Sequence, residues 1–150
     1  MNFEIKAFDS LSLHEFHDLV ALRIQVFVIE QNCPYQDLDG KDKKSFHFIG
    51  RDNDSVIKAT ARILPAGISY PEVAIGRVVI DPSERGTGAG HDLMRSCMEF
   101  IENQFGKVPV RLSAQSHLEK FYMHHQFVSA GKEYLEDGIP HVEMLYLPKN

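Results

Sequence analysis

A chain of 150 residues is long enough for one domain with a sizeable core, since a domain of that length buries roughly 68–70% of the surface its unfolded chain exposes. Its composition, 43% hydrophobic and 25% charged with 10 Phe and no Trp, is that of an ordinary globular protein and excludes a disordered one. The formal charge of −5 with no Lys/Arg-rich run argues against a nucleic-acid surface, and no apolar stretch approaches the ~20 residues of a membrane helix.

From the N-terminus, Asn2 to Phe8 alternates Phe3, Ile5 and Ala7 against Glu4 and Lys6, a half-buried strand. Ser12-Leu13-His14-Glu15 is a capping-box pattern, and Leu13, Phe16, Val20, Ile24 and Phe27 recur at helical spacing until Asn32-Cys33-Pro34 stops the helix. The polar run Gln36 to Lys44 reads as a surface loop. Phe46 to Arg51 and Val56 to Leu64 form a hairpin around Asp52-Asn53-Asp54-Ser55, and Pro65 to Pro71 is a second loop. Glu72 to Ile80 is the next strand. The helix that begins near Gly88 carries Leu93, Met94, Cys97, Met98, Ile101 and Phe105 on one stripe and stops at Gly106. Val108 to Ala114 is a strand, Ser116 to His125 a short helix, and Phe127 to Lys132 with His141 to Leu147 a closing strand pair. The order βαβββαβαββ is mixed α/β and lacks the regular alternation of a doubly wound sheet. Residues 1–150 read as one domain, without a repeat or a linker long enough to divide them.

The densest chemical signal is Arg85-Gly86-Thr87-Gly88-Ala89-Gly90, at the junction of the fourth strand with the long helix. Glycines at close spacing admit positive φ and let backbone N–H groups approach a ligand, and the helix start adds unpaired N–H groups and a positive dipole end. Arg85 adds a planar cation. The junction reads as an anion cradle in which the backbone carries most of the grip, and the same turn also fits a tight strand-to-helix connection with no ligand. A P-loop is excluded because no Lys-Ser/Thr follows the glycines, and the GxGxG spacing in mid-chain is not the GxGxxG opening of a dinucleotide fold.

On these residues the chain resembles a known family. Arg85-x-x-Gly88-x-Gly90 is similar to the acetyl-CoA pyrophosphate loop, R/Q-x-x-G-x-G/A, of the GNAT N-acetyltransferases, and the element order is similar to that family's fold. Arg23 to Gln31, Ile75 to Val79, Leu112 to Gln115 and Glu136 to His141 resemble its ElaA-like branch, so the similarity covers nearly the whole chain. The resemblance implies a mixed α+β acyl-CoA N-acyltransferase fold, a central twisted sheet flanked by helices. It also implies acetyl-CoA as cosubstrate, with the pantetheine arm along Val78, Val79 and Ile80, the pyrophosphate on Arg85, Gly86, Thr87, Gly88, Ala89 and Gly90, and Leu118 and Tyr122 beside the arm. In the family a Tyr placed as Tyr122 is sits by the cofactor sulfur, where a phenol can protonate the departing thiolate. The family usually has Gly where this chain has Gln126.

Transfer to an amine needs the amine neutral when it attacks, so a base or a water held by one is expected. Glu30, His47 and His141 are the candidates, the last near Glu136 and Asp137. The segment 136–141 also reads as a plain hairpin turn, and His47, between Phe46 and Phe48, also reads as a solvent-facing strand residue. Arg23 and Glu30, seven apart and on one face by the 3.6 period, are expected with His47 and Gln115 on the acceptor side, although a surface pair fits the same spacing. Asp37, Asp39, Asp42, Glu133, Glu136 and Asp137 are carboxylates that could attract a cationic amine.

No HExxH or Cys/His ligand spacing supports a metal. Cys97 lies on the apolar helix stripe, Cys33 in an ordinary loop position, and with no CxxC and no signal-peptide pattern at Met1-Asn2-Phe3-Glu4 the expected location is the cytoplasm. The expected activity is N-acetyl transfer by direct attack of a small-molecule or protein amine in a ternary complex, without nucleic acid or membrane and with a homodimer left open. The rivals are an acyl-homoserine-lactone-synthase-like acyltransferase, suggested by the run from Arg23 to Phe27, and a non-catalytic CoA-binding module.

Overall fold

The computed structural model describes residues 1–149. Strand β1 (Asn2–Ala7) leads through a short 3-10 turn to α1 (Leu13–Arg23), which continues without a break into a π-helical segment, Ile24–Glu30. The hairpin β2 (Phe46–Arg51) and β3 (Ile57–Leu64) is followed by β4 (Val73–Ile80), α2 (Ala89–Phe105), β5 (Val110–Gln115), the short α3 (Glu119–Met123), β6 (Val128–Ser129), β7 (Tyr134–Glu136) and β8 (Ile139–Tyr146). One sheet takes the order β1-β2-β3-β4-β5-β8-β6, with β7 also on β8, and β4–β5 is its parallel pair.

The helix ends follow the local chemistry. Ser12 and Glu15 form the reciprocal capping box at the start of α1, and Gly106, at φ 84°, ends α2. The face that α1 buries is not the expected one. Leu13 is fully exposed and Ile24 lies outside the core, while Leu19, Leu22, Arg23 and Val26 are buried. The π segment explains part of the offset: Gln31 N–H bonds Val26 O and Cys33 N–H bonds Val28 O, five residues back, so the turns are wider and a seven-residue spacing no longer returns to the same face.

The main core lies between the sheet and α2, where Leu93, Met94, Cys97 and Ile101 meet Ala59, Ala61 and Ile63 of β3, Val73 and Ile75 of β4 and Leu112 of β5. A smaller cluster of Leu22, Val26 and Val79 joins α1 to β4. A bulge in β4 divides that strand between the two. Arg77 has φ 49°, and neither it nor Val78 has a partner in the β3 register, which shifts between Thr60 and Arg62. An extra residue inverts the pleat. Before the bulge Val73 and Ile75 face the main core; beyond it Val78 and Ile80 do, and Val79 turns to α1.

The last quarter of the chain corrects the sequence reading. The closing pair is a three-strand arrangement, giving βαβββαβαβββ, because Tyr134–Glu136 pairs with Ile139–His141 around a two-residue turn with Asp137 at φ 52° and Gly138 at φ 78°. Positive φ at both central residues matches the twist of the flanking strands, which is what an Asp-Gly hairpin supplies. The segment read as one helix from Ser116 to His125 is a 3-10 turn, Ser116–Leu118, and then α3. Gln126 adopts φ 72°, so the left-handed turn that a Gly would make is made by Gln, at roughly 1–2 kcal/mol of backbone strain.

Candidate active site

Strands β4 and β5 pair only at Val73–Val110 and Ala74–Arg111; beyond that point they diverge. The β4 backbone from Gly76 to Ile80 therefore has no ladder partner on the β5 side. At the open end of this gap stands the glycine turn. Gly86 and Gly88 have φ of 79° and 85°, where a side chain would be strained, and the N–H groups of Gly86, Thr87, Gly88, Ala89, Gly90 and His91 have no protein acceptor among the described residues. A row of free N–H groups at the start of a 17-residue helix fits a diphosphate. At Gly90 the requirement is space: a Cβ there would sit 3.3 Å from Cε1 of Phe121, the ring by which α3 packs on α2.

The gap opens into a cleft of about 710 Å³. Of the residues expected to contact the donor, Val78, Val79, Ile80, Arg85, Gly90, Leu118 and Tyr122 line it, while Gly86, Thr87, Gly88 and Ala89 form the turn at its edge. Thr87 spends its hydroxyl proton on Glu84 O at 2.6 Å, so what the turn offers an anion is main chain. Arg85 donates from Nε to Ile80 O at 3.3 Å and meets Glu30 at 2.8 Å. Glu30 thus lies on the cleft wall with its carboxylate held by Arg85 at the start of the glycine turn.

Tyr122 is buried against Phe121 and Phe127, and its hydroxyl has no hydrogen-bond partner among the described residues. Burial pushes its pKa up, so the phenol stays protonated at neutral pH. His141 lines the cleft at the start of β8, where its register partners are Gln115 of β5 and Tyr134 of β7. Its Nδ1 is 2.7 Å from Ile139 O and donates to that carbonyl, which leaves Nε2 as the basic nitrogen; the Glu136 carboxylate lies 3.3 Å from Nε2. Gln115 also lines the cleft and exchanges amide hydrogen bonds of 3.2 and 3.3 Å with Gln31 at the end of the π segment. The two Gln residues bridge the gap from β5 to the helix.

Arg23 and His47 are corrections. Neither lines the cleft. Arg23, 1% exposed, points inward to Asp37 at 2.9 Å and to both oxygens of Asp42 at 2.8 and 3.0 Å. His47, also 1% exposed and hence neither solvent-facing nor a base, bonds Asp42 O at 2.9 Å, and burial holds its pKa below the usual histidine value. The loop Gln36 to Lys44 is equally far from a plain surface loop. Asp37 and Asp42 are buried, and with Asp39 they neutralise Arg23, Arg62 and Arg77. Burial alone would raise the Asp42 pKa, yet Arg23 and Arg62 hold it below the usual carboxylate range. These carboxylates are therefore occupied and do not attract an amine.

The network has a geometric consequence for the site. Arg77, the bulge residue, donates to Asp37 Oδ1 at 3.1 Å and to Asp37 O at 3.2 Å and lies over the Tyr35 ring at 5.4 Å. A left-handed non-glycine residue inside a strand persists only where its surroundings over-determine it; here the guanidinium is pinned from the 33–44 loop. Sequence reading missed Arg62 and Arg77. An arginine among the buried residues of β3 and another inside the otherwise apolar β4 demand partners, and the Asp37-x-Asp39-x-x-Asp42 spacing supplied them. Cys33 was missed too: it is buried on the cleft wall with Sγ 3.4 Å from Asp137 O. Cys97 is a core residue with its thiol pKa pushed up by burial. Among the described residues no group of three or more His, Cys, Asp or Glu side chains could hold a metal ion, and no helix is long and apolar enough to cross a membrane.

A mixed sheet whose parallel pair splays beside a glycine turn has the fold of the acyl-CoA N-acyltransferases. The model of the acetyltransferase (GNAT) domain matches residues 16–147, and the chain belongs to that family, in its ElaA-like branch. It is 42% identical to the protein ElaA of Escherichia coli over 136 residues, covering 89% of this chain and 88% of that one. The crystal structure of Escherichia coli ElaA superposes with a TM-score of 0.90 over 97% of this chain and 98% of its own. An acyl-CoA N-acyltransferase from Pseudomonas aeruginosa superposes with a TM-score of 0.91 at 38% identity, covering 97% and 98%.

Proposed function

We propose that the protein is an acetyl-CoA-dependent N-acetyltransferase in which a primary amine attacks the thioester directly in a ternary complex. The observation that carries this reading is the run of unpaired N–H groups from Gly86 to His91 at the open end of the β4–β5 gap, with a protonated Tyr122 on the wall of the same cleft. When bound, acetyl-CoA supplies an activated acetyl group.

The chain's own residues divide the work. The turn N–H groups and Arg85 bind the diphosphate, and each such charge-assisted hydrogen bond contributes about 1.5–3 kcal/mol. The unpaired edge of β4 from Val78 to Ile80 orients the arm, and an N–H at the bulge faces the negative charge that grows on the carbonyl oxygen during attack. His141 takes a proton at Nε2 from the incoming ammonium, and Glu136 steadies the imidazolium so formed. The nitrogen–carbon bond forms as the carbon–sulfur bond breaks. Tyr122 gives its proton to the leaving sulfur and regains one from the amide nitrogen, so the net products are the acetamide, free thiol and one proton held by His141.

Calorimetry with acetyl-CoA and CoA tests the donor half: absence of binding would remove the reading. A screen of amines by thiol release tests transfer. If the donor binds but no amine releases CoA beyond the water background, the non-catalytic alternative stands instead.

A further inference from the structure

Resting on that N-acetyltransferase reading, we propose that the acceptor is a zwitterionic amine, one whose own molecule carries a carboxylate or phosphate, and that Lys41 binds this anionic group. The cleft has a direction. Its donor turn follows Ile80, at the open end of the β4–β5 gap, while Lys41, Ser69 and Tyr70 line it near Val73, at the closed end. Seven strand steps of about 3.3 Å separate these ends, on the order of 23 Å, so a thioester near the bulge lies between them. The Lys41 end is the acceptor's.

The cations there are not equivalent. Arg62 is bidentate to Asp39, at 2.8 and 2.6 Å, and Arg77 is held by Asp37. Lys41 alone of these has no carboxylate within ion-pair distance among the described residues: its Nζ donates to the neutral Ser69 Oγ at 3.0 Å. A half-buried ammonium on a cleft wall with only a hydroxyl for company retains donors for an anion. On another wall the β7–β8 hairpin presents Glu136 and Asp137, and the Asp137 carboxylate has no cation partner among the described residues. The acceptor end is thus positive on one side and negative on another. A polyamine would face Lys41 unfavourably; an amine bearing an anion matches both sides.

The test begins with CoA binding and then titrates the CoA-loaded protein calorimetrically with product-like probes: N-acetyl amino acids against their C-terminal amides, an N-acetylated amino-sugar phosphate against the unphosphorylated sugar, C-terminal peptide acids against amides, and N-acetylated polyamines. The expected result is a preference of about tenfold or more for the anionic member of at least one pair, abolished in Lys41→Ala and largely retained in Lys41→Arg. The pair that shows it distinguishes amino acid, peptide terminus and sugar phosphate. Equal affinity within every pair, a preference that survives Lys41→Ala, or binding confined to the polyamines would overturn the inference while leaving the acetyltransferase reading intact. If CoA itself does not bind, both fall together.

Discussion

Replacing Gly88 by Ala separates backbone conformation from packing, because an added Cβ at Gly88 would meet nothing within 4 Å. The effect must then come from φ. Gly88 sits at φ 85° and ψ 2°, a left-handed conformation that costs an L residue roughly 1–2 kcal/mol. Gly106, at the far end of the same helix with φ 84° and ψ −166°, provides the control: its surroundings are equally empty, and its conformation is nearly exclusive to glycine, at about 1–3 kcal/mol. Gly106→Ala should therefore lose at least as much stability as Gly88→Ala. In a domain of this size each kcal/mol lowers Tm by roughly 2–4 °C. Donor binding should split the two variants. If Ala at 88 relaxes toward negative φ, the N–H groups of Gly88, Ala89 and Gly90 no longer converge. Losing one charge-assisted bond of about 1.5–3 kcal/mol weakens acetyl-CoA binding roughly ten- to a hundredfold. Calorimetric titration of both variants, beside thermal unfolding of each, reads the two effects separately. A Gly88→Ala protein whose residue 88 has moved to negative φ, read from its backbone chemical shifts, and that still binds acetyl-CoA as the parent does would refute the assignment of the diphosphate to this turn.

Other expectations follow from the same geometry. Tyr122→Phe removes a hydroxyl with no protein partner, so stability should change by less than about 0.5 kcal/mol and donor affinity little, while kcat falls about 100-fold or more; a variant that turns over as fast as the parent would remove Tyr122 as the acid. Asp42→Asn leaves Arg23 and Arg62 buried without their shared carboxylate and should lower unfolding free energy by about 3–5 kcal/mol in urea titration; a loss below about 1 kcal/mol would contradict a stabilising role for the pairs. Stability should also fall in two stages on acidification. The folded pKa of His47 is depressed, so its contribution is complete above the unfolded value of about 6.5 and is lost as pH falls below it; that of Asp42 is depressed too, and its contribution is lost below about pH 4. Urea midpoints across pH should show the upper stage shrink in His47→Gln, leaving the share of His125, whose pKa is lowered to about 4 by burial and by His91 and His124, and the lower stage shrink in Asp42→Asn; an upper stage unaffected by His47→Gln would contradict the buried neutral imidazole.

What local chemistry dictates was legible in the chain. The capping box at Ser12, the glycine stop at Gly106 and the turn at Gly86 to Gly90 depend on residues within a few positions of one another, and each stands where the sequence put it. The glycine-turn end of the cleft, where we place the donor, was legible in form for the same reason: a strand, a glycine turn and a helix start are consecutive in the chain, so their backbone groups converge without help from elsewhere. The other end was not. Arg23 looked like a pocket residue and is buried with Asp37 and Asp42, Glu30 reaches Arg85, and Lys41 faces the cleft from what read as a surface loop. Which charge is neutralised and which stays free depends on partners 14 to 55 residues away, brought together by sheet pairing and by a π segment that rotates one helical face relative to another. Periodicity assumes 3.6 residues per turn and two per pleat; where a π turn and a β bulge break those periods, only the folded chain decides which side chains meet.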